Sequence, residues 1–139
     1  MWRANWASTG DTLRYGPRDA AGLRVGVFMV GGKKQEAAAF DTMAWLLAGD
    51  EGRVDALIEQ FDAADAVAGA LEERRYDAVV MPGGSIFECE AALGDDGAAA
   101  LARFVAGGGG WFGCCAGGFL ASRRGYSGCR TQHAMLGTE

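Results

Sequence analysis

One segment of the chain has residue types and spacing suited to nucleophilic chemistry: Gly113-Cys114-Cys115-Ala116-Gly117. It has the form G-x-C-x-G, the cysteine version of a nucleophile elbow, in which a strand reverses abruptly into a helix. The geometry explains the residue types. The central residue is held in a strained backbone conformation, and a side chain at either flanking position would collide with the adjoining strand or helix. The central thiol then projects at a helix N-terminus, where the dipole and unbonded N–H groups favour the thiolate. Cys115 occupies that position. Cys114 is expected to turn back into the sheet as a small, inert hydrophobe. The plainer alternative is a pair of buried cysteines beside a glycine-rich turn.

A second segment, Pro82-Gly83-Gly84, is a loop whose glycines let the backbone approach a substrate oxygen closely. Read by itself it is equally a strand-terminating turn. A thiol nucleophile also wants a base within hydrogen-bond reach. The chain has one histidine, His133, 18 residues after Cys115; the alternative for it is an exposed histidine in a tail. Glu88 and Glu90 follow the Pro82-Gly83-Gly84 loop and would rim a pocket or simply be solvated. Lys33 and Lys34 read as solvent-facing.

Positioning these groups requires alternating strands and helices. Residues 23–30 are short, apolar and β-branched and run into Gly31-Gly32, the profile of a buried parallel strand. Residues 35–48 have a helical apolar face ended by Gly49. Residues 53–61 are ambiguous and lean to strand. Residues 65–75 read as a helix with Asp65 near its start and Arg74 and Arg75 at its end, matching the helix dipole. Residues 76–81 are a strand, 85–95 irregular, 96–106 a helix, 111–114 a strand and 116–122 a helix; residues 123–139 have no strong period. Such alternation makes an open parallel sheet, with the reactive loops gathered at the carboxyl ends of the strands. The strand beginning near Leu23 is expected between those beginning near Tyr76 and Trp111.

The segments Val79-Val-Met-Pro-Gly-Gly84 and Gly109-Gly-Trp-Phe-Gly-Cys-Cys-Ala-Gly-Gly-Phe-Leu120 resemble the class I glutamine amidotransferase-like superfamily, which includes ThiJ/PfpI-type proteins. Within it the resemblance is closest to the N-terminal domain of eukaryotic biotin–protein ligases, and it covers roughly residues 23–123. It implies a flavodoxin-like three-layer α/β/α sandwich with a parallel sheet. It further implies Cys115 as nucleophile and the N–H groups of Gly84 and Ala116 as an oxyanion hole. Such a cysteine attacks a carboxamide or carbonyl carbon, forming a thioester or hemithioacetal.

The resemblance also suggests two helpers. In some ThiJ/PfpI-type proteins a histidine about as far after the elbow as His133 lies at the end of a following strand, and an acid near the position of Glu36 hydrogen-bonds the cysteine. Glu36 is equally a helix-opening glutamate favoured by the dipole. The His-x-Glu motif of amidotransferases proper is absent, since Ala134 and Met135 follow His133. Domains of the superfamily continue beyond the position of Glu139, so the resemblance implies either a fragment or a domain that has lost its C-terminal end. A sheet edge left open in that way would need a partner chain or a second copy to cover it.

Composition sets the outer bounds. A chain of 139 residues, 50% hydrophobic and 22% charged, suits one globular domain. Residues 1–22 read as an N-terminal extension and 23–139 as the domain. The extension holds Trp2, Trp6, Leu13 and Tyr15, so part of it should pack on the sheet edge or on a partner chain. A net charge of −5 argues against nucleic acid and anionic membrane as partners, and no apolar run is long enough to span a bilayer. The four cysteines include no C-x-x-C pair and there is one histidine, so a zinc site or other metal site is not expected; no cofactor is expected either. The cysteine usage suggests a reducing, intracellular and cytoplasmic setting. Arg3, Arg14 and Arg18 with Ser8, Thr9 and Thr12 raise organelle targeting as an alternative, against which Asp11 and Asp19 weigh.

Three functions follow as expectations: a cysteine-dependent hydrolase or amidotransferase-like enzyme acting on a small-molecule or amide substrate, a non-catalytic binding or regulatory domain on the same scaffold, and a redox sensor oxidised at Cys115. Under the first and third, Cys115 should be the most reactive cysteine. Cys89 and Cys129 read as loop cysteines, with Arg130 the only nearby activating group.

Overall fold

The computed structural model describes residues 14–15, 22–33 and 56–121. Its sheet is built from short segments that each carry β-branched or aromatic residues. Strands β2 (Leu23–Phe28), β3 (Ala56–Phe61), β4 (Ala78–Met81) and β5 (Gly110–Gly113) are mutually parallel, and the two-residue β1 (Arg14–Tyr15) adds antiparallel to the outer edge of β3. That edge pairing meets, at Arg14 and Tyr15, the expectation that part of the N-terminal segment packs against the sheet. Every residue of β3 is buried. Burial on both faces removes the alternation that marks a half-exposed strand, which is why residues 53–61 are ambiguous as sequence.

The order is β1-β3-β2-β4-β5. Strand β4 therefore lies between β2 and β5, with Gly26 opposite Val79 and Val79 opposite Trp111. This corrects the expectation that the Leu23 strand is the middle one. The chain goes from β2 to one side to form β3, crosses back over β2 to form β4, and continues in that direction to β5. The parallel strands thus follow the flavodoxin-like order, with the reversal between β2 and β4.

The described helices pack on the face that carries Phe28, Phe61, Val79 and Met81. Helix α1 (Ala63–Val67) starts with a capping box, the Asp62 carboxylate accepting from the Asp65 N–H at 3.0 Å and the Asp65 carboxylate from the Asp62 N–H at 3.2 Å. Gly69, at φ 88°, separates it from α2 (Ala70–Glu73), so two short helices replace the single one expected over 65–75. Helix α3 (Ile86–Ala106) corrects the reading of 85–95 as irregular. Ser85 caps it, accepting from the Glu88 N–H at 3.4 Å, and Gly94 (φ 60°, ψ 177°) bends it. That bend interrupts the helical period in the sequence, although Cys89, Leu93, Gly97, Ala100, Leu101 and Phe104 share the buried side. Cys89 is thus a core residue of a helix and not a loop cysteine. A short helix α4 (Ala116–Leu120) follows β5.

The core joins Phe28, Phe61 and Tyr76, whose rings are 5.5 and 6.2 Å apart in succession, to Leu71, Met81, Leu93 and Leu101. Beside it runs a polar cluster. Lys33 Nζ lies 2.9 Å from Asp65, Arg74 donates to Asp65 at 3.0 Å, and Arg74 also donates to the Tyr76 hydroxyl at 3.3 Å. Lys33 is therefore not solvent-facing: it is half-buried and ion-paired across the sheet end. Tyr76 is buried, and its phenol is held well above the usual value, chiefly by desolvation and also by the nearby Glu59 carboxylate, against the opposing pull of Arg74. No helix among the described residues is long and apolar enough to cross a membrane.

Candidate functional site

Strands β4 and β5 end side by side, with Met81 paired to Gly113. The chain then makes two departures from the sheet. After Met81 it passes through Pro82-Gly83-Gly84 into α3; after Gly113 it passes through Cys114-Cys115 into α4. The Cys114 N–H still reaches the Met81 carbonyl at 3.0 Å, so the ladder extends one residue past the strand before the chain turns.

Cys115 is the turning point. Its backbone has φ 52° and ψ −113°, one of two non-glycine residues with positive φ among those described. A side chain in that region costs roughly 1–3 kcal/mol, and such residues cluster at functional sites. The surroundings hold it there. The Gly117 N–H donates to the Cys114 carbonyl at 3.0 Å, and the Gly118 N–H to the Cys115 carbonyl at 3.0 Å. A methyl group on Gly113 would strike the Gly117 carbonyl, and one on Gly117 would strike the Met81 carbonyl. These are the collisions that the flanking glycines were expected to avoid.

The Pro82-Gly83-Gly84 loop comes directly against this turn. A Cβ on Gly83 would lie 3.0 Å from the Cys115 Cβ and 3.8 Å from its Sγ. Gly84 follows at φ 136° and is exposed. Ala116 is the buried first residue of α4, and the N–H of a first helical residue has no intrahelical acceptor. The Gly31–Gly32 turn closes β2 at the same end of the sheet, one strand over from β4.

Cys115 is exposed. Cys114 is exposed too, which corrects the expectation that it turns into the sheet. Side chains alternate between the two faces along β5: Trp111 packs against the helix-covered core, and Cys114 falls with the exposed Phe112 on the other face. Trp111 is a further residue of the turn, one that the sequence motif does not mark. Its indole N–H donates to the Gly117 carbonyl at 3.2 Å and ties β5 to α4 across the turn. An indole four residues before the central cysteine gives no local signal of that contact. Glu88 and Glu90 stand on the first turns of α3 and not in a loop, Glu88 exposed and Glu90 half-buried. Glu36 and His133 lie outside the described residues. Among the described residues, no three His, Cys, Asp or Glu side chains gather as a metal ion would require.

Residues 71–134 match the model of a protein family described as biotin-protein ligase, N terminal. The matched stretch contains β4, the Pro82-Gly83-Gly84 loop, α3, β5 and the Cys114-Cys115 turn. The similarity found by comparison thus falls on the half of the sheet that builds the candidate site. Neither the curated proteins nor the solved structures compared with the chain gave a match.

Proposed function

We propose that the protein is a cysteine-dependent hydrolase or amidotransferase-like domain of the class I glutamine amidotransferase-like superfamily, with Cys115 as the nucleophile of an elbow. The observation that carries this reading is the strained, exposed Cys115 between strand and helix with the glycine loop against it. In the reaction the Cys115 thiolate attacks the carbonyl carbon of a carboxamide or related group. Negative charge develops on the carbonyl oxygen, and the N–H groups of Gly84 and Ala116 receive it. Because both are backbone donors on a rigid frame, they require no reorganisation as the charge forms. Ammonia or another leaving group departs to give a thioester, which water then hydrolyses. His133 is the candidate for moving the protons and Glu36 for orienting the thiol.

Acylation of the purified protein by a small activated ester such as p-nitrophenyl acetate, read by peptide mass spectrometry, tests this. The expected result is a thioester on the Cys115 peptide, absent from Cys115→Ala. Acylation that favours Cys114 or Cys129 over Cys115 would overturn the reading. Labelling with limiting iodoacetamide should follow the same order, with Cys115 ahead of Cys129 and the buried Cys89 last.

The family match favours a second reading. A region similar to the N-terminal part of biotin–protein ligases is also what a non-catalytic binding or regulatory domain on the same scaffold would look like. In that case Cys115 would alkylate but not turn over any acyl substrate.

A further inference from the structure

We infer that Phe87 and Phe119 border the Cys115 turn as an apolar subsite, and that the site takes amides or esters of an uncharged, apolar acyl group. The inference deepens the nucleophile reading above and rests on it. Both rings are large hydrophobic groups left in contact with solvent, Phe87 52% and Phe119 38% exposed. Each belongs to a helix that begins at the candidate site, Phe87 to α3 and Phe119 to α4.

Their placement follows from helix geometry. A helical side chain leans toward the helix N-terminus and covers the surface of the preceding turn. The Phe119 N–H donates to the Cys115 carbonyl at 3.3 Å, so Phe119 stands one turn beyond the thiol. Ala116, Gly117 and Leu120 take the inward side of α4, which leaves Phe119 on the open side. Gly118 places no side chain between Cys115 and Phe119. Phe87 is the second residue of α3, and the turn before it is Gly83-Gly84-Ser85. The Cβ position of Gly83 lies 3.8 Å from the Cys115 sulfur, and a Cβ on Gly84 would meet nothing within 4 Å. The junction of loop and turn is thus open, with one phenyl ring supplied by the helix after the loop and one by the helix after the turn.

Charge near the junction selects against an anion. Residues 82–90 and 110–121 contain no Lys or Arg, and the acids among them are Glu88 and Glu90. Glu88 is exposed beside Phe87. A carboxylate on the acyl group would meet that charge with no compensating cation from these segments. An alkyl or aryl group would instead lose water against the two rings.

Acylation of Cys115 by p-nitrophenyl acetate, butyrate and hexanoate tests the inference, each rate divided by that of the same ester with N-acetylcysteine. The sulfur bonds to the acyl carbon, the ester C–O bond breaks, p-nitrophenolate leaves with the bonding pair, and the thiol proton goes to solvent. A fully buried methylene is worth about fourfold, so two open-sided rings should give about tenfold from acetate to hexanoate. p-Nitrophenyl hemisuccinate, an anion close in size to the butyrate, should react about tenfold more slowly than the butyrate. Phe87→Ser and Phe119→Ser should each cut the hexanoate-to-acetate ratio by about half or more, and Phe119→Leu should keep it, because leucine still supplies apolar surface. A flat series in the wild type, a ratio that neither serine variant lowers, or a hemisuccinate as fast as the butyrate would overturn the subsite while leaving Cys115 a nucleophile. Failure of every ester to acylate Cys115 would overturn the nucleophile reading instead. N-ethylmaleimide and N-hexylmaleimide then make the same chain-length comparison at Cys115 without acyl transfer, and equal rates there would overturn the subsite as well. Circular dichroism of each variant separates a lost subsite from a lost fold, and the comparison of butyrate with hemisuccinate on the wild-type protein stands in either case.

Discussion

Gly83 and Cys115 belong to different crossovers of the sheet, yet the Cβ position of one lies 3.0 Å from the Cβ of the other. That approach joins the loop after β4 to the turn after β5 and leaves little space for a side chain at Gly83. Gly83→Ala should therefore push the Cys115 side chain aside, while the nearest Cys114 atom, its carbonyl oxygen, stays at an ordinary contact of 3.6 Å. Alkylation of Cys115 by limiting iodoacetamide should slow by roughly tenfold, equivalent to about 1.4 kcal/mol, with Cys114 in the same molecule as the internal standard. An unchanged Cys115 to Cys114 ratio would mean that the loop moves freely out of the way.

Cys115 is held at positive φ, so its side chain carries a conformational cost that glycine would not. Removing a cost of roughly 1–3 kcal/mol, less the added chain entropy of a glycine of roughly 0.5–1 kcal/mol, leaves a net gain. Cys115→Gly should be more stable than wild type by about 1 kcal/mol in urea unfolding and should lose acylation entirely. A destabilised Cys115→Gly would show that the backbone there is not strained.

Gly117 is the opposite case. Its missing Cβ faces the Met81 carbonyl in the middle of the packed sheet end, where the backbone of β4 is fixed by its neighbours on both sides. Gly117→Ala should cost about 3 kcal/mol by overpacking, seen as a lower urea midpoint with an unchanged slope. Gly118→Ala, one position on, meets nothing closer than 3.5 Å and should be nearly neutral.

Tyr76 links stability to alkaline pH. Its phenol is raised above the ordinary value of about 10 in the folded protein. Below pH 10 both states keep the proton, and the stabilising effect is complete. As the pH rises past 10 the unfolded chain loses the proton first, and stability falls progressively toward the raised folded value. Tyr76→Phe lacks this term, so the stability gap between wild type and variant should narrow between pH 8 and pH 11. A gap that widens over that range would contradict the burial of the phenol.

Local chemistry was enough to locate the two glycine loops, because each is encoded where it acts. Gly113 and Gly117 exclude collisions within a five-residue turn, and Pro82-Gly83-Gly84 ends a strand whose apolar run is continuous. The same short-range signals marked the parallel strands at 23–30, 76–81 and 111–114. What sequence could not settle depends on which neighbours arrive from elsewhere. The position of β4 between β2 and β5 follows from the direction of each crossover, which no residue within a strand records. Residues 86–93 are helical because Cys89 and Leu93 find the core despite the bend at Gly94. Lys33 is held by Asp65, which lies 32 residues away, and Cys114 falls on the face of β5 that the described helices leave open. The residue types at the turn were determined by sequence alone; the exposure of both its thiols was decided by the tertiary arrangement, since accessibility is a property of the surroundings and not of the residue.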